Sequence, residues 1–550
     1  MEFRPFARRK LHQVICLGAF GVVSPSYAQT QVANETAPGE PAPAGSVEGE
    51  PAPTEADELD EVIITVQKRE EVLEDVSTPV AVVGRARLAE GRVYTIEELQ
   101  TLVPNITLGY EFNTAKLFMR GIGTNTSTSG SDPGVALNVD GVVVARPEAQ
   151  LTSMFDLERV EVVRGPQGTL YGRNAVGGAI NLITAKPTPE TTGYVRLGAG
   201  NYEAYSLAAA VGGPITEDVL YRVAVQADDR AGFAQNPVTQ DDIDNLRRGM
   251  ARIHLQINAS ENVDTLFTFE GVYQKDNSGG IRYRADSFPG NPALAPTGAG
   301  GFATEPRDLA SELDPRHELR MLAATNTTNV TLSDALSLTN IVSFRDFEGV
   351  LIQDLDASGV VNSIDTTGQA TTNMNRTVFS QQVSEELQLK YTSTRLSGVA
   401  GLYFFYEDFG VSPNSIGLTP TTGQPQVAAA LAAQGISPDQ VFDVCGLEDQ
   451  IGSGQTPPRF CGSSDHIANA YAAFGQLRYS IFPELTLKLG GRYSHERRSE
   501  KNPGYIVTAN GRGPAVNVFT NDPVGTDSGS PETGFTRGSA NDATFGAFTP

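Results

Sequence analysis

The sequence predicts a mainly β fold, a transmembrane antiparallel β-barrel preceded by a smaller α/β domain. Segments of about ten residues that alternate apolar and polar side chains recur throughout residues 191–550, for example at 219–228, 250–259 and 485–494. Short turns also alternate with long polar loops in this region, as in outer-membrane barrels, whereas a soluble sandwich gives no reason for that alternation. Abundant Gly, Ser, Thr and Asn agree with a β protein.

The N-terminus predicts an exported protein. Basic residues at positions 4 and 8–10 precede an apolar run at 11–23 and the cleavage site Ser26-Tyr27-Ala28, which together predict a signal peptide at residues 1–28. The apolar run is shorter than the ~20 residues of a membrane-spanning helix. Residues 29–58 are rich in Pro, Ala, Glu and Gly. They predict a disordered linker, because such a segment buries too little apolar surface to offset its ordering entropy.

A short β-branched segment, residues 59–66, follows the linker and contains Asp60, Glu61, Val62, Ile63, Ile64, Thr65 and Val66. Such a segment can add as an edge strand to the sheet of a partner protein. The same local pattern also fits the first strand of the domain that follows. The residues alone leave both roles open.

Residues 67–190 predict one compact α/β domain. Its expected elements are short strands at 80–83, 134–144, 160–163 and 179–184 and a short helical piece near 95–102. A glycine-rich segment follows the strand at 160–163. There Pro166 suits the second position of a tight turn, and Gly172, Gly177 and Gly178 permit close approach of the backbone to its neighbours.

Charge and motif content exclude several function classes. The formal net charge of −24 argues against nucleic-acid binding, because phosphate contacts require a basic surface. Phosphate-loop, zinc-protease and serine-hydrolase motifs are missing, so we expect no catalysis, no cofactor and no metal site. After removal of the signal peptide, Cys445 and Cys461 remain. An even pair in an exported protein favours a disulfide, and a metal site is the less favoured alternative.

Several motifs occur in the order found in one protein family. The segment Val160-Glu161-Val162-Val163-Arg164-Gly165-Pro166-Gln167-Gly168, continuing to Asn181, resembles the end of the plug domain of TonB-dependent outer-membrane receptors. Further matching segments lie at 60–69, 102–106, 119–123, 139–142, 385–389 and 401–405. The resemblance extends from about residue 60 to the last residue.

The resemblance implies that residues 60–66 are the TonB box, that residues 67–190 are the plug, and that residues 191–550 belong to the barrel. Barrels of this family have about 22 strands. We count about eleven strands in the sequence. We therefore expect the chain to contain roughly the first half of a barrel. An open half-barrel would leave unpaired backbone groups in lipid.

The resemblance also suggests contacts between the plug and the barrel. Glu386 matches the acidic position of a family barrel strand and shares parity with the lumen-facing residues Ser384 and Gln388. We expect Glu386 to contact a plug arginine, either Arg164 or Arg173. Glu385 stands where the family usually has an amide, so the sequence leaves open which carboxylate makes the contact.

By this resemblance, the expected function is active import across the outer membrane. The leading hypothesis is uptake of a ferric siderophore or a related iron complex, driven by TonB with the ExbB–ExbD energising complex. Import of a glycan or a corrinoid by the same machinery is the alternative. A passive porin or an adhesin is a third hypothesis, disfavoured because neither needs a plug and a partner-binding strand. The expected partners are TonB, outer-membrane lipid and a small ferric chelate.

Overall fold

The computed structural model describes residues 63–502 with gaps, the longest of which are 281–306, 355–372 and 418–459. Most of the described chain is β structure, as the sequence predicted. The helices are α1 (Arg85–Glu90) and α2 (Gly168–Tyr171), with 3₁₀ turns at Glu98–Thr101 and Pro147–Leu151. The strands are β1 (Ile63–Ile64), β2 (Glu71–Val72), β3 (Val80–Gly84), β4 (Ile106–Glu111), β5 (Thr114–Met119), β6 (Ile122–Gly123), β7 (Val135–Val139), β8 (Val142–Val143), β9 (Leu157–Arg164), β10 (Gly178–Thr184), β11 (Thr192–Gly200), β12 (Ala204–Pro214), β13 (Val219–Arg230), β14 (Ala234–Gln235), β15 (Asp242–Ile243), β16 (Leu246–Ser260), β17 (Val263–Asp276), β18 (Arg316–Ser333), β19 (Leu336–Asp354), β20 (Asn373–Thr392), β21 (Leu396–Gly417), β22 (Phe460–Phe482) and β23 (Leu485–Asn502).

The α/β domain is built on a five-stranded sheet in the order β3-β9-β10-β7-β8. The central strand β10 pairs antiparallel with β9 and parallel with β7. In these two central strands, β9 and β10, the residues Val160, Val162, Ile180 and Leu182 are completely buried and form part of the apolar core of the domain. The strands of this sheet lie where the sequence predicted strands. The segment 134–144, predicted as one strand, is a hairpin of β7 and β8.

Two features of this domain were not predicted. A three-stranded antiparallel sheet, β4-β5-β6, stands beside the main sheet. Helix α1 follows β3 directly and buries only Leu88. Both are short, and a helix of two turns with one buried residue leaves almost no periodic pattern in the sequence.

Residues from β11 onward form an eleven-stranded antiparallel sheet in which neighbours in space are mostly neighbours in sequence. Because side chains alternate along each strand, polar and apolar side chains lie on opposite faces of the sheet. On β16, Arg252 and His254 are almost fully buried against the plug side, while Ile253 is 48% exposed on the other face. On β17, Glu270 is buried and Phe269 is 52% exposed. Polar residues therefore face the lumen and apolar residues face outward, as in a membrane barrel.

From β12 onward the connections follow the predicted alternation where the structure describes them, whereas the turn 201–203 between β11 and β12 is also short. The turns 215–218, 261–262, 334–335 and 393–395 are short. The connection between β13 and β16 contains the hairpin β14–β15, which the sequence analysis treated as loop. Among the described residues, no helix is long and apolar enough to cross a membrane.

Candidate functional site: the coupling segment and the plug–barrel contacts

We use the term coupling segment for residues 60–66. Its described part is folded onto the plug, where β1 pairs antiparallel with β2 and places Ile63 opposite Val72 and Ile64 opposite Glu71. Ile64 and Val66 are buried in a small apolar cluster with Val163. The structure thus places Ile63 and Ile64 in a strand of the plug. The TonB-binding role of Asp60 to Val66 remains a prediction, and Asp60, Glu61 and Val62 lie outside the described residues.

Polar contacts hold the backbone of the coupling segment against the plug. The Thr65 amide donates to Glu161 Oε1 at 2.9 Å, and Glu161 is completely buried. The Tyr171 hydroxyl donates to the Val66 carbonyl at 2.9 Å and accepts from Asn181 Nδ2 at 2.6 Å. Burial raises the pKa of Tyr171 well above its usual range, so the hydroxyl keeps the proton that it donates.

The chain next contacts the barrel through Lys68. Its Nζ lies 2.5 Å from both carboxylate oxygens of Glu386 on β20, and it sits 5.0 Å from the centre of the Phe474 ring. Gln388 Nε2 donates to the same carboxylate at 2.6 Å. Glu386 faces the lumen as predicted, but its ion-pair partner is Lys68 rather than Arg164 or Arg173. Lys68 reaches Glu386 because a turn after the coupling segment brings the backbone to the barrel wall.

Two further contacts join the same turn to the barrel. Glu71 Oε1 lies 2.5 Å from Arg69 and 3.4 Å from Arg478 on β22. Arg69 Nη1 donates to Ser397 Oγ at 3.0 Å. Lys68, Arg69 and Glu71 therefore hold residues 68–71 to three neighbouring strands, β20, β21 and β22. The sequence analysis missed these residues, although two cations entering a barrel lumen directly after an apolar segment are a sign that carboxylates face them.

A second group of plug–barrel contacts surrounds Asp132. This carboxylate pairs with Arg146 and Arg173 of the plug, each at 3.1 Å, and with Arg498 of β23. Burial alone would raise the pKa of Asp132, but the three guanidinium groups outweigh it and hold that pKa below its usual range. Asp132 is therefore ionised at neutral pH.

Arg146 extends this group to β21, two strands from β23 in the same sheet. Its Nε lies 2.9 Å from Glu407 Oε1 on β21, and its guanidinium stacks 3.9 Å from the centre of the Phe409 ring. Glu407 is completely buried and also accepts from Ser380 Oγ at 2.8 Å. Removal of the cation from a buried carboxylate is strongly destabilising. This pair therefore fixes the position of the plug along the barrel axis.

Arg173 and Arg164, the two arginines chosen from sequence, differ in their surroundings. Arg173 contacts the barrel, with Glu496 at 3.5 Å and the Phe405 ring at 4.8 Å. Arg164 ends β9, and its Nε is buried without a hydrogen-bond partner among the described residues. The neighbouring Gly172 has a φ of +74°, and a Cβ there would meet the Arg492 guanidinium at 2.6 Å. Glycine is favoured here because L side chains rarely adopt this positive φ, whereas the flexible end of Arg492 could move aside.

The predicted disulfide joins two cysteines whose side chains are not among those that the structure describes. Cys445 lies outside the described residues, and the side chain of Cys461 is not described. Their disulfide stays a prediction. Among the described residues, no group of three or more His, Cys, Asp or Glu side chains is arranged to hold a metal ion.

Comparison with known proteins identifies the plug. Residues 72–179 match the sequence model of the TonB-dependent Receptor Plug Domain. The chain carries the plug domain of a TonB-dependent receptor. The receptor is an outer-membrane β-barrel protein, in agreement with its apolar outer face.

The relatives share its plug and its fold. The receptor is 30% identical over 182 residues to the pesticin receptor of Yersinia pestis, covering 32% of this chain and 26% of that protein. It is 27% identical over 243 residues to the vitamin B12 transporter BtuB of Vibrio cholerae, covering 42% and 38%. The receptor thus spans less than half the length of these curated relatives.

A solved structure extends the likeness to the barrel. The ferric yersiniabactin uptake receptor FyuA from Yersinia pestis matches with a TM-score of 0.62 at 18% identity, covering 80% of this chain and 59% of that chain. At this identity the match shows a shared fold. These relatives are named as receptors and transporters, and none of the three as an enzyme.

Proposed function

We propose that this receptor imports a scarce ligand, a ferric siderophore or a related iron complex, with energy that TonB and the ExbB–ExbD complex deliver to the plug. One observation carries the proposal: a small set of contacts holds the coupling segment to the plug, and a second small set holds the turn that follows it, residues 68–71, to the barrel. Such a segment can transmit a pull from the periplasm to the plug. It can also be released without unfolding the eleven-stranded sheet, since none of its described residues, 63–66, belongs to that sheet.

The outer membrane lacks an energy source of its own, and this favours a mechanical role for the coupling segment. The outer membrane holds no ion gradient and no nucleotide pool, so work on the plug has to come from a periplasmic partner. An extended, β-branched segment can pair with an edge strand of that partner through backbone hydrogen bonds. In the structure the same backbone is engaged by β2, Glu161 and Tyr171. We infer that the partner binds only after these contacts open.

The proposal includes an assignment of the domain limits. We assign residues 1–28 to a signal peptide, 29–58 to a linker, 59–66 to the TonB box, 67–190 to the plug and 191–550 to the barrel. The ligand is proposed from the likeness in fold to FyuA, which is named a ferric yersiniabactin uptake receptor. Corrinoid import is the second candidate, because one relative is named a vitamin B12 transporter.

The ligand can be identified directly. The receptor, expressed from its own gene in iron-starved cells, is purified from outer membranes, and mass spectrometry determines which small molecules remain bound. An iron chelate whose uptake also requires TonB supports the proposal. A bound corrinoid or glycan would select the alternative, and uptake that is unaffected by loss of TonB would contradict active import.

A further inference from the structure

The outward face of the barrel carries an apolar belt, the band of exposed apolar side chains that faces the membrane. A group of exposed basic side chains lies at one end of this belt. We use the term basic patch for Arg247 on β16, Lys275 on β17 and Arg316 and Arg320 on β18. The pairing of the strands makes them neighbours, because Arg247 lies opposite Lys275, and Lys275 lies opposite Glu318, between the two arginines of β18. The side chains of Arg247, Arg316 and Arg320 are 74%, 51% and 52% exposed.

Their position relative to the apolar belt is fixed by the strands. Ile253 and Phe269, both outward-facing and about half exposed, lie six residues below Arg247 and Lys275 on the same strands. Six residues correspond to about 20 Å along a strand. Tyr273 is exposed between belt and patch, and Arg320 lies 5.7 Å from its ring centre. An aromatic residue at this level marks the boundary between hydrocarbon and headgroups.

The patch lies at the extracellular boundary. β16 and β17 are joined at their other ends by the short turn 261–262, whereas the long connection 277–315 leaves β17 beside Lys275. Short turns are periplasmic and long loops are extracellular in such barrels. The basic patch therefore faces the headgroups of the outer leaflet.

The arginines are held in place by carboxylates that lie beneath them. Glu318 is only 8% exposed and contacts Arg316 at 2.8 Å and Arg320 at 2.5 Å, one with each oxygen. Asp229 holds Arg247 Nε at 2.8 Å. Each guanidinium has five N–H donors, so these contacts leave donors directed outward. A pre-ordered guanidinium is well suited to bidentate phosphate binding.

The charge balance favours an anion. Four basic side chains face three carboxylates, those of Asp229, Glu318 and Glu348, which borders Arg320. The patch keeps net positive charge in a chain whose formal net charge is −24. A charged group on the lipid-facing side is unfavourable at depth, and its cost becomes small near the boundary, where it can meet headgroups.

We propose that the basic patch binds the phosphorylated headgroup of an anionic lipid in the outer leaflet of the outer membrane. The bound phosphates accept from Arg316 and Arg320, and Lys275 and Arg247 neutralise the remaining charge. The proposal rests on the outer-membrane location and is independent of the imported ligand.

The test uses diphosphoryl lipid A as the probe and native mass spectrometry of the receptor purified in detergent. We expect the triple variant Lys275→Gln, Arg316→Gln, Arg320→Gln to bind the probe about tenfold more weakly or worse, since each cation near a charged lipid contributes to binding. Arg395→Gln, which neutralises an exposed arginine in the turn 393–395 at the other end of the barrel, should bind normally. Dephosphorylated lipid A should bind weakly to all variants.

Several results would overturn the proposal. These are equal binding of diphosphoryl lipid A by the wild type and the triple variant, an equal loss in Arg395→Gln, or displacement of the lipid by inorganic phosphate at matched phosphate concentration. If the triple variant does not fold, Lys275→Glu serves instead, because its exposed side chain forms no ion pair with any residue that the structure describes. It should weaken binding several-fold, and unchanged binding by Lys275→Glu would then refute the assignment.

Discussion

Lys68 and Glu386 form an ion pair that joins the turn after the coupling segment to the barrel wall. Their side chains are only 12% and 8% exposed. Removing one member of a buried pair leaves an unpaired charge, at a cost of about 3–5 kcal/mol, whereas removing both leaves none. The pair is therefore a sensitive point at which to loosen the segment.

We predict that Lys68→Met or Glu386→Gln increases the accessibility of the coupling segment. The reporter is a cysteine at position 63 in a Cys445→Ser, Cys461→Ser background, labelled with a thiol reagent without ligand or TonB. Each single variant should label faster than the parent, and the double variant should label more slowly than either single one. Equal labelling of the parent and the single variants would show that the pair does not hold the segment.

Asp132 predicts an acid dependence of plug docking. Because its pKa is lowered in the folded protein, the stabilisation by Arg146, Arg173 and Arg498 is present above about pH 4 and is lost as the pH falls through the folded-state value. We expect the rate of hydrogen exchange in residues 131–146 to increase as the pH falls below the folded-state pKa of Asp132. Asp132→Asn should show fast exchange already at neutral pH, with a weaker pH dependence. Asp218→Asn, in an exposed turn, is the control, and an unaltered profile in Asp132→Asn would contradict this role.

At the residue scale, the sequence predicted the direction of a side chain better than it predicted the residue that the side chain contacts. Parity along β20 placed Glu386 in the lumen, where it is buried. Its partner could not be deduced, because the proximity of Lys68 depends on a turn more than 300 residues away in the chain. In the structure Arg173 pairs with Asp132 of the plug, and the barrel carboxylate that it contacts is Glu496.

At the scale of elements, the hairpin of β1 and β2 occupies the strand that TonB is proposed to bind. The sequence left two roles open for residues 59–66, and the structure shows one of them, a strand of the plug. A segment can serve both roles only in succession, since the same backbone groups cannot pair with two partners at once. If TonB pairs with this segment as proposed, opening of the hairpin is a required step in transport.

A disulfide across this hairpin should block that step. Ile63 and Val72 lie opposite each other in an antiparallel pair, a geometry that brings two Cα atoms within bridging distance. We predict that Ile63→Cys, Val72→Cys in the cysteine-free background binds ligand but does not transport it when oxidised, and that a reductant restores uptake. Ile63→Cys alone should transport under both conditions. Normal uptake by the oxidised double variant would disprove the requirement for opening.

The long strands of the barrel could be predicted because period-two alternation over ten or more residues is a strong signal. The short elements could not. The hairpin β14–β15 has two residues in each strand and is held by tertiary contacts, such as the burial of Ile243 against Leu309. Neither residue stands out in its local sequence.

At the scale of the whole molecule, the fold predicts which segments face each side of the membrane. We expect cysteines introduced at Asp218 and Glu261, in short turns, to react with an impermeant reagent only after the outer membrane is opened. A cysteine at Gly417, at the far end of β21, should react on intact cells, and so should one at Gly290, which lies outside the described residues. Equal labelling of both groups would contradict the topology.

The central claim is that residues 60–66 transmit energy from TonB to the plug, and proline substitution tests it most directly. Proline removes a backbone donor and fixes φ, which prevents strand pairing. Ile63→Pro should abolish energised uptake while ligand binding at the cell surface is retained, and Ile63→Val should transport normally, because the backbone carries most of the contact. Uptake by Ile63→Pro at the wild-type rate would contradict the account.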